Sequence, residues 1–360
     1  LLQNGRLQSY LSLLVLMALV AGALPFLRGV PLVSSDKAFV WPPFPVIAVA
    51  LIGMAAAFAT VVAHRHRLLA IVLLGAVGLP VSLAFVYLSA PDLALTQLLV
   101  DVVSIILMML ALNWLPHHAP PEGAPFLRNP RKLRDAAIAT AAGLGTAALL
   151  YTVMTRPFDS IARYFLETTV PLGGGANAVN VIIVDFRGFD TLGEITVLGI
   201  AGIIIYALLA GFVPPPRSAQ SRAVAAAVAT ESDKHPLMLA LLSRALLPLA
   251  ILVSFFLFLR GHNEPGGGFV AGLVLAIAII LLFVANGSQW VEQRIGTDFR
   301  AWVGGGLLVA GLTGVGSWFV GSPFLTSTYA YPQIWPFGAV PLASAALFDL
   351  GVYLTVVGAT

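Results

Sequence analysis

Asp101 is the residue in this 360-residue chain whose type and position most demand a chemical reason. It lies inside residues 90–115, APDLALTQLLVDVVSIILMMLALNWL, a stretch long and apolar enough to cross a bilayer. Such a crossing takes about 20 apolar residues at roughly 1.5 Å rise each. Counted from Leu93, Asp101 falls about 12 Å in, near the midplane. A charge there costs about 2.5–3.5 kcal/mol on insertion scales, so an intramembrane acid is read first as functional. Gln97, Asp101 and Ser104 follow i, i+4, i+7 spacing and share one helix face. One carboxylate with amide and hydroxyl oxygens beside it suits a small hard cation, and the same carboxylate takes a proton. The structural alternative is a carboxylic acid bonded to a neighbouring helix.

A second group lies in residues 180–199, NVIIVDFRGFDTLGEITVLG, where Asp185, Arg187, Asp190 and Glu194 crowd directly before an apolar span. Asp190 and Glu194 are i, i+4 and repel if both are ionised. Arg187, three residues earlier, is placed to neutralise Asp190. An ordinary charged helix start is the competing reading, because acids are favoured near a helix N-terminus.

Asp349, in AALFDLGVYL, is a third mid-span acid, either a proton site or a helix-packing contact near Gly351. Arg244 lies within a span close to one end, where it snorkels or pairs with an acid on another span. In Arg260-Gly-His-Asn-Glu-Pro-Gly-Gly-Gly-Phe269, a tight turn competes with a site that sets His262 and Glu264 at the mouth of an ion exit. His64 and His66, in a basic turn, and the adjacent His117 and His118 are poorly spaced for a shared metal. The sequence contains no nucleophile–base pair, metal signature or nucleotide fingerprint, so an enzyme is not expected.

These acids need helices to hold them in a membrane. The composition is 59% hydrophobic and 10% charged with mean hydropathy +0.95, which defines an integral membrane protein. Cysteine is absent, which removes disulfides, iron–sulfur ligation and thiol chemistry. A net charge of +3 would suggest nucleic acid in a soluble protein; here the basic residues sit in short loops, and nucleic acid is not expected.

Ten apolar segments follow, at about 7–25, 45–63, 68–88, 93–115, 135–155, 189–212, 237–259, 266–285, 300–320 and 338–359. The expected fold is therefore all-α and polytopic, with about ten transmembrane helices. Twelve Lys and Arg collect on one side of such a bundle and six on the other, with Arg244 inside a span. The positive-inside rule then makes both termini cytoplasmic. Within residues 155–185, the aromatic, mixed middle FDSIARYFLETTVPLGGG suits an amphipathic helix on the outer interface. Residues 117–135 are a Pro-rich basic loop, and the polar, proline-bounded 214–236 is a junction. The chain starts at a leucine and reads as a piece of something longer.

At the two acidic motifs the sequence resembles a known family. APDLALTQLLVDVVS and VNVIIVDFRGFDTLGEITVLG are similar to the C-terminal part of the large A subunit of Mrp-type multisubunit Na⁺/H⁺ antiporters, and to two small subunits of membrane-bound hydrogenases related to complex I. LLQNGRLQSYLSLL resembles the last helix region shared with complex I pumping subunits. RGHNEPGGGF and LFDLGVYLTVVG resemble the Mrp B subunit. The resemblance implies four parts: 1–63, the last helices of the antiporter-like region; 64–213, the C-terminal membrane domain of the A subunit; 214–236, a linker; and 237–360, a four-helix B-like domain.

It further implies that the family's membrane carboxylate in LTQLL(E/D) falls on Asp101, one methylene shorter than the usual Glu, and that the DTLGE acid falls on Glu194, beside Asp190. The expected function is a fragment of a membrane subunit exchanging Na⁺ for H⁺ in the cell membrane, with Asp101 and Glu194 as transient Na⁺ ligands and no cofactor. Its expected partners are the upstream core of the A subunit, the C, D, E, F and G type subunits and the lipid bilayer, in a hetero-oligomer. The rival is the membrane arm of a redox-driven ion pump; a third possibility is a scaffold that conducts nothing.

Overall fold

The computed structural model describes residues 7–31, 41–112, 129–157, 159–211, 237–296, 298–335, 338–339 and 342–360. His117, His118 and the 214–236 junction lie outside them. Among the described residues, nine helices are long and apolar enough to cross a membrane, ten if one bent pair counts as a single span.

The chain divides into two units, residues 1–43 with 115–160 and residues 44–114 with 161–360. In the first, α1 (Leu7–Leu27) packs on α5 (Pro130–Met154). Gly22 and Gly145 sit where a Cβ would touch Leu149 and Leu19, so small residues bring these helices together. Asn129 caps α5 by accepting the Arg131 amide at 3.1 Å, just ahead of Pro130.

The second unit carries all the acids singled out above. α2 (Phe44–Val62), α3 (Arg67–Tyr87) and α4 (Pro91–Leu112) pack in sequence. After α6 (Ala162–Gly173) the chain turns by 80° into α7 (Ala178–Val181), which continues as a π-helical turn, Ile182–Phe186. α6 falls within the middle stretch where a helix is expected, and the bend into α7 lies beyond that expectation. Gly174, at φ +70°, ends α6, and Asn177 starts α7 by accepting the Val179 and Asn180 amides. α8 (Gly188–Ala210) follows, with the Thr191 hydroxyl donating to the Ile183 carbonyl at 2.8 Å beside the π-turn.

α9 (Leu237–Arg260) and α10 (Gly268–Asn286) form a hairpin, followed by short α11 (Ser288–Ile295) and by α12 (Phe299–Phe319). Two small antiparallel ladders, β1 (Tyr329–Ala330) with β4 (Leu342–Ala343) and β2 (Gln333–Ile334) with β3 (Gly338–Ala339), precede α13 (Ala345–Ala359). The tenth expected segment, 338–359, thus becomes a helix of only 15 residues. At about 22 Å it is short for a lipid-facing span. It is instead encased by α8, α10 and α12, and Phe348, Val352 and Val356 on it are among the most buried side chains. Gly351 and Gly306 meet where a Cβ on either would come within 2.6 Å of the other's carbonyl, so α12 and α13 touch backbone to backbone. The apolar core collects around α13, while large apolar side chains elsewhere, such as Leu252 and Val197, face outward.

Candidate functional site

The Gly-rich turn between α9 and α10 organises the site. The Gly266 amide donates to Asp92 Oδ1 on α4 at 2.8 Å, and the Gly268 amide donates to Asp349 Oδ2 on α13 at 2.8 Å. Between them the Gly267 amide turns back to the Leu257 carbonyl at 3.0 Å. Gly267 adopts φ +99°, and a Cβ there would meet Asn180 Nδ2 at 2.7 Å, so glycine is needed for conformation and for space. Three successive amides are thus shared among two acids and a helix end.

Asn177 locks this turn to the bend before α7. Its Nδ2 has three acceptors at hydrogen-bond distance: Asp92 Oδ2 at 3.1 Å and the Gly261 and Glu264 carbonyls at 3.0 Å. The Asn177 amide donates to the His262 carbonyl, and Asn263 Oδ1 accepts the Ala176 amide. His262 Nε2–H donates to the Gly173 carbonyl at 3.0 Å. Burial pushes the His262 imidazole below its usual range, although that bond and the Asp185 charge oppose it.

Beneath this joint lies a cavity of about 360 Å³ lined by α4, α7, α8, α10 and α13. Its polar lining is Asp92, Thr96, Asn180, Thr191, Glu194 and Asp349; the remainder is mostly apolar. Asp92 and Asp349 are buried, whereas Glu194 is exposed in the isolated chain. Among the described residues no group of three or more acids or histidines is close enough to hold one metal ion.

Asp101 lies elsewhere. It accepts from Gln97 Nε2 at 2.9 Å and abuts α3, where a Cβ on Gly78 would collide with its carboxylate. Nine residues separate Asp92 from Asp101, about 13 Å along α4 and half a turn round it. One helix thus presents one acid to the cavity and the other to α3. Ser104 is half-buried on α4, and neither Gln97 nor Ser104 lines the cavity.

The other candidates separate by partner. Asp190 pairs with Arg187 at an exposed position, so of the i, i+4 acids Glu194 alone lines the cavity. Asp185 accepts the Ser327 amide at 2.9 Å and anchors the loop before the β ladders. Glu264 pairs with Arg260 at 3.6 Å. Arg244 meets no acid among the described residues; its Nε donates to Asn286 Oδ1 at 2.7 Å. Asp92, Asn177 and Asn180 do not stand out in the sequence. Asp92 reads there as a routine first-turn acid after Pro91, and the asparagines carry no charge to mark them.

The fold and site define a class: a multi-pass helical protein of the cell membrane with carboxylates held inside the bundle. Family models agree segment by segment. "Domain related to MnhB subunit of Na+/H+ antiporter" matches residues 238–360, the model for the E subunit of MBH matches 130–225 and the model for the D subunit of MBH matches 52–117. A probable K(+)/H(+) antiporter A/B subunit of Rhizobium meliloti (strain 1021) is 45% identical over 385 residues, covering 100% of this chain and 38% of that protein. The Na(+)/H(+) antiporter B subunit of Bacillus subtilis (strain 168) is 46% identical over 130 residues, 36% of this chain and 91% of that protein. The solved Mrp complex of Dietzia sp. DQ12-45-1b superposes with a TM-score of 0.79 at 32% identity, over 99% of this chain and 38% of that one. The chain belongs to the Mrp-type multisubunit antiporter family, with the end of an A-type subunit running on into a B-type one. It spans 38% of the length of the A/B relative.

Proposed function

We propose that this chain is a membrane part of a multisubunit antiporter exchanging Na⁺ for H⁺, and that cations and protons pass over its intramembrane carboxylates. The cavity that gathers Asp92, Glu194 and Asp349 with Thr96, Thr191 and Asn180 carries this reading. A carboxylate that gives up a proton as it takes a cation couples the two ions by competition for one group. Asp101, with Gln97 and Ser104 on its face, is a second station on the same helix. Asp190 and Arg187 lie at the exposed end of α8, where an ion would approach Glu194. The exchanging assembly includes the upstream core of the A-type protein and the C, D, E, F and G type subunits, both termini of this chain are cytoplasmic, and no bound cofactor takes part. The relative named for K⁺ makes K⁺ the cation to run beside Na⁺.

The test is Asp101→Ala and Glu194→Ala in the whole complex, with cation-driven proton movement read in everted vesicles. Unimpaired exchange in both variants would remove the assignment. The second reading, a membrane arm of a redox-driven pump, rests on the two family models named for MBH. Cation exchange by the purified complex without any electron donor decides against it.

A further inference from the structure

At the end of α9 and α10 remote from the glycine turn, two guanidinium groups meet the Trp290 indole. The Arg244 and Arg294 carbons each lie 4.3 Å from the indole centroid. Arg244 is held by Asn286, whose Nδ2 donates to Ser243 Oγ at 3.0 Å and to the Leu282 carbonyl at 3.2 Å. Among the described residues neither arginine pairs with a carboxylate. Two exposed positive charges therefore meet one indole, and Glu292, the exposed acid on α11, forms no ion pair with either. α11, which carries Trp290 and Arg294, buries Val291 completely and exposes Arg294, as a helix lying along a membrane surface does.

Directly beneath, α9 and α10 border, together with Leu99 of α4, an apolar groove of about 280 Å³, lined by Leu246, Ala250 and Val253 from α9 and Ile277 and Leu281 from α10. Ser243 belongs both to the groove and to the Asn286 contact, so groove and arginine pair are continuous. From Ser243 to Val253 the groove runs about 15 Å, half the hydrocarbon thickness of a bilayer.

We propose that this is a binding site for an anionic phospholipid, with its phosphate held by Arg244 and Arg294 and one acyl chain in the α9–α10 groove. Guanidinium groups bind phosphate oxygens in pairs, and tryptophan favours the headgroup level. A free phosphate would use only the upper half of the site. A partner helix would fill the groove yet leave both charges uncompensated. The proposal stands apart from the exchange reading, since its readout is bound lipid.

The whole complex is purified in mild detergent with phosphatidylglycerol or phosphatidylcholine, and retained lipids are counted by native mass spectrometry. The wild type is expected to retain phosphatidylglycerol and not phosphatidylcholine. Each of Arg244→Gln and Arg294→Gln lowers retention about fivefold. Ala250→Phe, which fills the groove and leaves both arginines, lowers it as well, and millimolar inorganic phosphate does not compete. Should Arg244→Gln prevent assembly, Arg294→Gln decides alone, because that guanidinium meets the indole and no carboxylate. Unchanged retention in Arg294→Gln or in Ala250→Phe overturns the proposal. So does displacement by inorganic phosphate, or a cross-link from Ala250→Cys to a helix of another protein in the complex.

Discussion

Asp92 and Asp349 are held by amides two residues apart. Gly266 donates to the first and Gly268 to the second, each at 2.8 Å. The acids come from α4 and α13 and face one cavity, so a single turn fixes two carboxylates that the chain keeps 257 residues apart. The Asp92 carboxylate is buried and accepts from the Gly266 amide and from Asn177 Nδ2.

Asp92→Asn keeps the shape and removes the charge. Its amide would set one donor against another, the Gly266 N–H or Asn177 Nδ2, at a buried position. The expected cost is about 1–3 kcal/mol, together with reduced cation exchange. Thermal melting of the complex and vesicle assays read the two separately. Wild-type behaviour in both would remove Asp92 from the site.

Gly268→Ala should damage assembly, because the new Cβ would lie 2.7 Å from Asp349 Oδ1 and against its backbone. Gly304→Ala and Gly311→Ala on α12 have nothing within 4 Å. They should be neutral or stabilising by up to about 1 kcal/mol, through helix propensity. Membrane expression and melting temperature compare the three.

His262 sets a pH dependence. Burial lowers its folded-state pKa, so the unfolded chain binds the proton more readily. Its contribution is complete above the ordinary imidazole value near 6.5 and is lost as pH falls from there toward the lowered one. His262→Gln, which retains an N–H for the Gly173 carbonyl, should flatten the melting temperature between about pH 8 and 5.5. A slope equal to the wild type would assign the effect to another group.

Asp190→Asn and Glu194→Gln should part company. The Asp190–Arg187 pair is exposed on both sides, so its loss costs at most about 1 kcal/mol and leaves exchange largely intact. Glu194→Gln should impair exchange while sparing stability, since Glu194 is exposed and lines the cavity. Equal exchange rates in the two variants would contradict the division.

Gly78→Ala tests the Asp101 station without touching the acid. The added methyl would collide with the carboxylate, so exchange should fall as it does in Asp101→Ala. Gly143→Ala on α5, with open space around it, serves as the control. Both are read by exchange at matched membrane protein levels.

The sequence by itself determined the membrane class, nine of the helical segments and the acids that stand out against apolar neighbours, because hydropathy and helical spacing are local properties. Asp101, Glu194 and Asp349 were legible for that reason. Tertiary structure alone decided that Asp349 and Glu194 share a cavity with Asp92 while Asp101 faces α3. It also decided that Asn177 closes the joint, through contacts to residues 84 to 87 positions away. An uncharged asparagine or a first-turn aspartate carries no local mark of such a role. The 80° bend before α7 and the short, encased α13 were hidden likewise: glycine-to-backbone approach and lateral packing set them, and neither leaves a periodicity in the chain.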